Sequence, residues 1–289
     1  MSHAQRLREL LAGQPFIAPG CYDAFTALLI EQAGFACAYV SGASIAFTKL
    51  GRPDIGLTTL TEVAETVGNI RERVALPLIV DGDNGFGNAL NVQRTVRLLE
   101  KMGASAIQLE DQTLPKRCGH LDGKTLVSVG EMLGKLKAAQ DARTDSATLI
   151  VARTDAIAVD GFEAGMARAH AYADAGADVL FIEALRSVAQ FERAGQELGG
   201  RVPLLANMVE GGKTPLLSIS ELGALGFRLA IYPGAMVRVV GQAATTYLAT
   251  LSQDGTTRGM LDRMFDFRRL NEVIGTDDML RQGERYRDL

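Results

Sequence analysis

The amino-acid sequence predicts an α/β fold, specifically a (β/α)8 barrel of the TIM type with extra helices at its C-terminal end. Short apolar runs recur along the chain, amphipathic helical segments separate them, and glycines mark the joints between helix and strand. Eight such strand–helix units favour a closed barrel, whereas six favour an open doubly wound sheet. The length of 289 residues is in the range of one barrel domain.

Each apolar run is predicted to be a strand because it is short and ends in polar or acidic residues. In chain order the runs are Phe16–Ala18, Ala36–Val40, Leu76–Val80, Ala106–Leu109, Leu149–Ala152, Val179–Ile182, Leu204–Ala206 and Leu229–Tyr232. Between the third and fourth runs, Asn91–Met102 has the spacing of an amphipathic helix, with Val92, Val96 and Leu99 on one face. The other gaps contain similar helical segments.

A glycine repeats at the end of the helical segments. It occurs in Ala33-Gly34-Phe35, Met102-Gly103-Ala104, Ala175-Gly176-Ala177 and Leu225-Gly226-Phe227. A glycine after the last helical residue, followed by a buried strand, is typical of a βαβ unit. Met260–Ile274 is a further amphipathic stretch, so 253–289 is predicted to be a helical extension of a single domain spanning 1–289.

The composition is that of a globular protein, with 47% hydrophobic and 22% charged residues. The net charge of −4 argues against a nucleic-acid partner but allows a small anionic substrate. No segment has the apolar stretch of a signal peptide or a membrane span. The three cysteines have neither a disulfide framework nor zinc-type spacing. We therefore expect a cytoplasmic protein with no membrane partner.

Acidic residues follow several predicted strands, where barrels carry their active sites. They lie in Asp81-Gly82-Asp83, Glu110-Asp111, Arg153-Thr154-Asp155 and at Glu183. Asp81 and Asp83 are alternate residues, so we expect both to point into one site. A hard cation such as Mg²⁺ or Mn²⁺ would relieve their repulsion, and such ions prefer oxygen ligands. The alternative is that these acids cap helices or pair with Arg153.

The predicted loop Gln112–Val127 contains the run Lys116-Arg117-Cys118-Gly119-His120. The loop is polar and long enough to close over the site. The flanking cationic residues are expected to lower the pKa of the Cys118 thiol and to make it reactive. The alternative is a buried structural cysteine, which is the expectation for the other two cysteines of the chain.

Taken together, these segments resemble the isocitrate lyase/phosphoenolpyruvate mutase superfamily over nearly the whole chain. Further motifs in the same order are Tyr39-Val40-Ser41-Gly42, Pro53-Asp54-Ile55-Gly56, Ala206-Asn207 and Tyr232-Pro233 with Arg238. The cysteine motif is similar to the signature of the lyase branch. This branch includes 2-methylisocitrate lyase, 2,3-dimethylmalate lyase and the petal death protein.

The resemblance implies roles for individual residues. It implies Mg²⁺ held by Asp81, with Asp54, Asp83 and Glu110 contributing directly or through water. It assigns catalysis to Cys118, His120, Arg153 and Glu183, with Cys118 as the acid–base residue. Substrate binding would fall to Tyr39, Ser41, Gly42, Gly119, Asn207 and Arg238. It also implies a helix exchanged between the subunits of a homodimer or homotetramer.

The implied reaction is cleavage of a carbon–carbon bond in a 2-hydroxy or 2-oxo di- or tricarboxylate, such as 2-methylisocitrate or a substituted malate. The products would be an α-keto acid and, through an enolate, a second carboxylate. Phe181 stands where isocitrate lyase usually has tryptophan, and Gln108 where methylisocitrate lyase tends to have histidine. Ala156 replaces the serine expected of a dedicated oxaloacetate hydrolase.

Two alternatives stay open at this stage. The first is chemistry at a phosphorus–carbon bond, as in phosphonopyruvate hydrolase, phosphoenolpyruvate mutase or carboxyphosphonoenolpyruvate phosphonomutase. The intact Cys118-Gly119-His120 argues against it. The second is a barrel that binds a ligand without turnover, although none of the expected acids is missing.

Overall fold

The computed structural model describes residues 1–119 and 123–287, and the chain divides into two compact units, Met1–Met236 and Val237–Leu289. In the first unit, parallel strands pair in sequence order and the last pairs with the first, which closes a barrel. The strands are β1 (Phe16–Cys21), β2 (Ala38–Val40), β3 (Leu78–Asp81), β4 (Ala106–Glu110), β5 (Leu149–Thr154), β6 (Val179–Ile182), β7 (Leu204–Asn207) and β8 (Leu229–Tyr232). The predicted barrel is confirmed, whereas the grouping of 1–289 into one domain stays a prediction.

All the predicted strands are present, with small differences at their ends. Strands β2 and β3 begin two residues later than predicted, at Ala38 and Leu78, which are paired with each other. Pro77 precedes β3 and has no N–H to donate to the sheet, although its carbonyl accepts a bond from the Ala38 N–H at 3.1 Å. The late start of both strands has this common cause.

Helices follow the strands as the patterns predicted. They are α1 (His3–Ala12), α2 (Ala24–Gln32), α3 (Gly42–Ile45), α4 (Leu60–Arg73), α5 (Ala89–Lys101), α6 (Val129–Ala142), α7 (Ala156–Asp160), α8 (Phe162–Asp174), α9 (Val188–Leu198) and α10 (Ile219–Ala224). The repeated glycines have positive φ angles, 83° at Gly34, 98° at Gly103, 82° at Gly176 and 89° at Gly226. These are left-handed conformations that end a helix, as the repeat predicted.

The barrel interior is filled by apolar side chains from alternate positions on the strands. Tyr39, Ile79, Val151, Phe181 and Ile231 belong to this buried cluster. Leu7 and Leu11 of α1 join the same cluster, so the N-terminal helix closes one end of the barrel. The charged residues that follow the strands are therefore confined to the other end.

The second unit contains most of α11 (Ala235–Asp254), a 3₁₀ turn at Arg258–Arg263, α12 (Phe267–Ile274) and α13 (Thr276–Glu284). The predicted amphipathic stretch is divided into this turn and α12, because Asp266 accepts a bond from the Arg269 N–H and caps a new helix. Among the described residues, no helix is long and apolar enough to cross a membrane.

Two glycines inside helices test the packing of the barrel. A β-carbon on Gly195 of α9 would lie 1.7 Å from the Leu225 carbonyl oxygen, whereas one on Gly134 of α6 would meet nothing within 4 Å. We expect Gly195→Ala to lower the free energy of unfolding by about 1–3 kcal/mol or more through overpacking. Gly134→Ala should raise it by about 0.5–1 kcal/mol, because alanine favours the helix. Urea unfolding of both variants measures the difference, and equal stabilities would contradict this packing.

Candidate active site

The carboxyl ends of the barrel strands carry a buried set of charged side chains. Asp81 ends β3, Glu110 ends β4, and Arg153 lies near the end of β5. Glu183 follows β6, and Asn207 ends β7. The four charged side chains are at most 8% exposed. These residues therefore need partners inside the protein, because an isolated buried charge is strongly disfavoured.

Asp81 and Asp83 are close together, but not for the reason that the sequence pattern suggested. Asp83 lies beyond the end of β3, with a φ angle of 47°, and its N–H donates to Asp81 Oδ1 at 3.1 Å. A β-carbon on Gly42 would lie 3.1 Å from Asp81 Oδ2 and 3.5 Å from Asp83 Oδ1. A turn with left-handed backbone, rather than alternation along a strand, brings these two acids together beside Gly42.

Lys116 is the cation nearest to two of the predicted metal ligands. Its ammonium group pairs with Asp54 and lies 2.6 Å from Asp83 Oδ1, and the lysine side chain is only 4% exposed. From the sequence, these acids lack a counter-charge of their own and Lys116 is only a neighbour of Cys118. The structure corrects this expectation, because the fold brings Lys116 from the loop after β4 to Asp54 and Asp83.

Whether a metal ion fits among these carboxylates depends on which of their oxygen atoms lack a hydrogen-bond partner. Among residues 1–119 and 123–287, no group of three or more acidic, histidine or cysteine side chains is arranged to hold a metal ion. Glu110 Oε1 is nevertheless buried without a hydrogen-bond partner. Burial raises the pKa of Glu110 well above its usual range and that of Asp83 to about 7. Buried carboxylate oxygens that require more positive charge suit a hard divalent cation.

Arg153 is the centre of a second group of charges. Its guanidinium donates to Asp155 at 2.9 and 3.0 Å and approaches Glu110 at 3.4 Å. It also stacks over the Phe181 ring, 4.9 Å from the ring centre. Burial alone would raise the pKa of Asp155, but the cations beside it hold the value at about 2. Asp155 therefore follows the alternative prediction, that a strand-end acid pairs with Arg153.

The cysteine loop lies against this end of the barrel. The Cys118 N–H donates to the Asp54 carbonyl at 3.1 Å. A β-carbon on Gly119 would lie 2.5 Å from Arg153 Nη2 and 3.1 Å from Glu183 Cδ, so a side chain there would have to displace the Arg153 guanidinium. The structure thus places Gly119, and with it the backbone of Cys118, near the charged residues, and the catalytic and binding roles of these two residues stay predictions. His120, predicted to be catalytic, is outside the described residues.

The remaining cysteines behave as structural residues. Cys21 and Cys37 are buried, whereas Cys118 is half-buried. Burial raises the pKa of the Cys21 thiol to about 12 and that of Cys37 further still. Both thiols are therefore unreactive near neutral pH, in agreement with the prediction that they are buried small hydrophobes.

Two buried side chains, Tyr39 and Gln108, form a chain of hydrogen bonds that ends at Asp81. The Tyr39 hydroxyl donates to Gln108 Oε1 at 3.0 Å, and Gln108 Nε2 donates to Asp81 Oδ1 at 3.1 Å. From the sequence, Gln108 is only a difference from methylisocitrate lyase, and this contact is not predicted. Its position two residues before Glu110, on the same face of β4, was the available signal.

The predicted substrate-binding residues are placed unequally. Asn207 Nδ2 donates to Glu183 Oε2 at 2.9 Å, while Asn207 Oδ1 is buried without a hydrogen-bond partner. The Ser41 hydroxyl accepts the Ser44 N–H at 3.2 Å and caps α3. Burial and the nearby Asp81 raise the pKa of Tyr39 well above its usual range. Arg238 belongs to the second unit and lies in α11.

Comparison with known proteins covers nearly the whole chain. Residues 7–252 match the phosphoenolpyruvate phosphomutase family. The 2,3-dimethylmalate lyase of Eubacterium barkeri is 44% identical over 278 residues, 96% of each chain. The 2-methylisocitrate lyase of Aeropyrum pernix is 45% identical over 273 residues, covering 94% of this chain and 87% of the relative.

Solved structures also match nearly the whole chain. A crystal structure of 2,3-dimethylmalate lyase superimposes with a TM-score of 0.93 at 35% identity, covering 99% of this chain and 96% of the other. Oxaloacetate acetylhydrolase with 3,3-difluorooxalacetate has a TM-score of 0.91 at 36% identity, with coverage of 96% and 95%. Phosphonopyruvate hydrolase with oxalate and Mg²⁺ has a TM-score of 0.89 at 32% identity, with coverage of 99% for both chains.

Proposed function

The chain belongs to the phosphoenolpyruvate phosphomutase family and to its carbon–carbon lyase branch, and from this membership we propose that it cleaves a 2-alkylated 2-hydroxydicarboxylate or tricarboxylate with the help of Mg²⁺. Substituted malates and 2-methylisocitrate are the candidate substrates. The position of Gly119 beside Arg153 and Glu183 carries the proposal, because it places the neighbouring Cys118 close to the residues that we assign to carboxylate binding.

We propose that the site's side chains divide the work of the reaction. Arg153 and Asn207 bind a carboxylate of the substrate, and Glu183 orients both of them through its contacts at 3.9 and 2.9 Å. The base that accepts the hydroxyl proton is a carboxylate and not Tyr39, because the raised pKa of Tyr39 makes its phenolate costly. As the carbon–carbon bond breaks, its electron pair passes to the enolate, and the Cys118 thiol gives its proton to the enolate carbon.

The proposed metal ligands are Asp81, Asp83, Asp54 and Glu110, whose carboxylate oxygens suit Mg²⁺ or Mn²⁺. A divalent cation bound there would polarise the hydroxyl and the forming carbonyl of the substrate. Support for the ion comes from the buried, unpartnered Glu110 Oε1 and from the named Mg²⁺ complex of phosphonopyruvate hydrolase. Gln108 orients Asp81 from the opposite side.

The alternatives are less well supported. Phosphonopyruvate hydrolase and a phosphoenolpyruvate phosphomutase share the fold at 32% and 30% identity. Relatives at 40–46% identity that cover most of the chain are named as lyases of methylisocitrate or dimethylmalate. The relative named for dimethylmalate and those named for methylisocitrate are nearly equally identical to this chain. An assay with both substrates therefore decides between the malate and the isocitrate skeleton.

Activity with a panel of substrates tests the proposed function. With Mg²⁺, we expect 2,3-dimethylmalate or 2-methylisocitrate to release an α-keto acid, measured by coupled reduction with lactate dehydrogenase. EDTA should abolish release and added Mg²⁺ should restore it, whereas Asp81→Ala should lose both metal binding in calorimetry and activity. Full activity in a chelated sample would contradict the proposed metal dependence. Phosphate release from phosphonopyruvate, with no keto acid released from the other substrates, would contradict the proposed lyase activity.

Cys118 is tested by Cys118→Ser. A serine hydroxyl is a much poorer proton donor than a thiol, so we expect kcat to fall by about 10²–10⁴-fold. KM should change far less, because Arg153 and a divalent cation at the proposed ligands would still bind the substrate. Cys37→Ala, which removes a buried thiol of the barrel core, is the control and should retain kcat. A near-normal kcat in Cys118→Ser would overturn the assigned acid.

We propose that the second unit assembles with another copy of the chain, as a homodimer or homotetramer with exchanged helices. On α12, Phe267 is 88% exposed and Leu270 is exposed; on α13, Met279 is 66% exposed, and Phe265, just before α12, is exposed as well. Such an apolar surface on α12 and α13 is typical of a subunit interface. Light scattering at micromolar concentration should report a multimer, and Phe267→Asp should shift it toward the monomer. A wild-type monomer would disprove this assembly.

A further inference from the structure

Lys124 is a buried cation that the proposed reaction does not use. Its side chain is 1% exposed, and its ammonium group lies 3.0 Å from Asp155 Oδ1. The same ammonium donates to the carbonyl oxygen of Gly119. An ammonium group that is removed from water is strongly disfavoured unless it is paired and hydrogen-bonded. The two partners of Lys124 therefore have to stay in place around it.

The Asp155 partner is held firmly by the barrel. Arg153 donates to both of its carboxylate oxygens, and the Asp155 N–H donates to Asp111 Oδ1 at 2.9 Å. Asp111 in turn accepts bonds from Thr154 and Tyr172 at 2.8 Å. Lys124 is thereby bound to residues at the ends of β4 and β5.

The Gly119 partner is the residue after Cys118. A β-carbon on Gly119 would lie 2.5 Å from Arg153 Nη2, so any side chain there would have to displace the Arg153 guanidinium. The Cys118 N–H is bound by the Asp54 carbonyl, and the Gly119 carbonyl is bound by Lys124. Backbone groups on both sides of the Cys118 side chain are therefore tied to the barrel, which restricts where the thiol can point.

Other contacts hold the stem of the loop without Lys124. The Gln112 side chain makes two bonds of 2.9 Å with the backbone of Arg117. The Thr113 N–H donates to the Thr125 carbonyl at 2.9 Å, and Gln112 and Leu126 form an antiparallel bridge. Loss of Lys124 should therefore leave the stem formed and release mainly the Cys118–Gly119 segment.

We infer that Lys124 is a positioning residue that fixes the thiol of Cys118 over the substrate by binding the Gly119 carbonyl to Asp155. This role rests on the proposed function of Cys118 as the acid, but its geometry can be tested without turnover. A displacement of about 1 Å at a reacting group can cost about 10²-fold in rate.

The test compares Lys124→Met, which retains length and loses the charge, with Lys124→Arg, which can restore both bonds. Lys135→Met is the matched control, because Lys135 is 3% exposed and its ammonium binds the Asn84 carbonyl at 3.1 Å. Alkylation of Cys118 by iodoacetamide is followed by peptide mass spectrometry across pH. The alkaline plateau of the rate reports access to the thiol, and the midpoint reports its pKa.

We expect Lys124→Met to raise the alkaline plateau several-fold and to lower kcat by about 10–100-fold, with KM changed much less. Lys124→Arg should recover part of both effects. Lys135→Met should lower the melting temperature without changing the plateau at Cys118. A folded Lys124→Met protein with the wild-type plateau would overturn the inference, and Lys124→Gln is judged by the same criterion if the methionine variant does not fold. If Lys124→Met changes the plateau but the wild-type protein has no lyase activity, only the proposed function is refuted.

Discussion

A carboxylate that is removed from water needs a positive partner or must give up its charge, and one end of this barrel is built on that constraint. Asp81, Asp83, Glu110, Asp155 and Glu183 are all at most 8% exposed. Three lysine and arginine side chains enter the same region, and each is shared between partners. The arrangement of the loops above the barrel follows from where these cations have to lie.

The cations connect elements that are distant in sequence. Arg153 comes from a strand, whereas Lys116 and Lys124 come from the loop that follows β4. Because both lysines are bound to acids of the barrel, the cysteine between them is held near the same acids. The charge pairing that makes burial tolerable is thus also what orders the loop. The contacts that pair the buried charges are thus the same contacts that position Cys118 in the proposed site.

Some buried oxygen atoms at this end of the barrel have hydrogen-bond partners and others do not. Asp155 and Asp111 have full sets of partners and act as structural supports. Glu110 Oε1 and Asn207 Oδ1 are buried without hydrogen-bond partners and point to groups that arrive from outside the chain. A divalent cation at Glu110 Oε1 and a hydrogen-bond donor of the substrate, such as its hydroxyl, at Asn207 Oδ1 would complete the proposed site.

Sequence alone determined the barrel and the acids at the strand ends, and its ordered motifs carried the resemblance to the superfamily. The barrel follows from local patterns, since strand and helix periodicity and helix-ending glycines are properties of neighbouring residues. Tertiary structure decided which charge faces which. Lys116 meets Asp54 across 62 positions and Lys124 meets Asp155 across 31, and the turn at Asp83 rather than the strand brings it to Asp81. Ion pairing depends on distance in space and on burial, and neither is encoded in the spacing of residues along the chain.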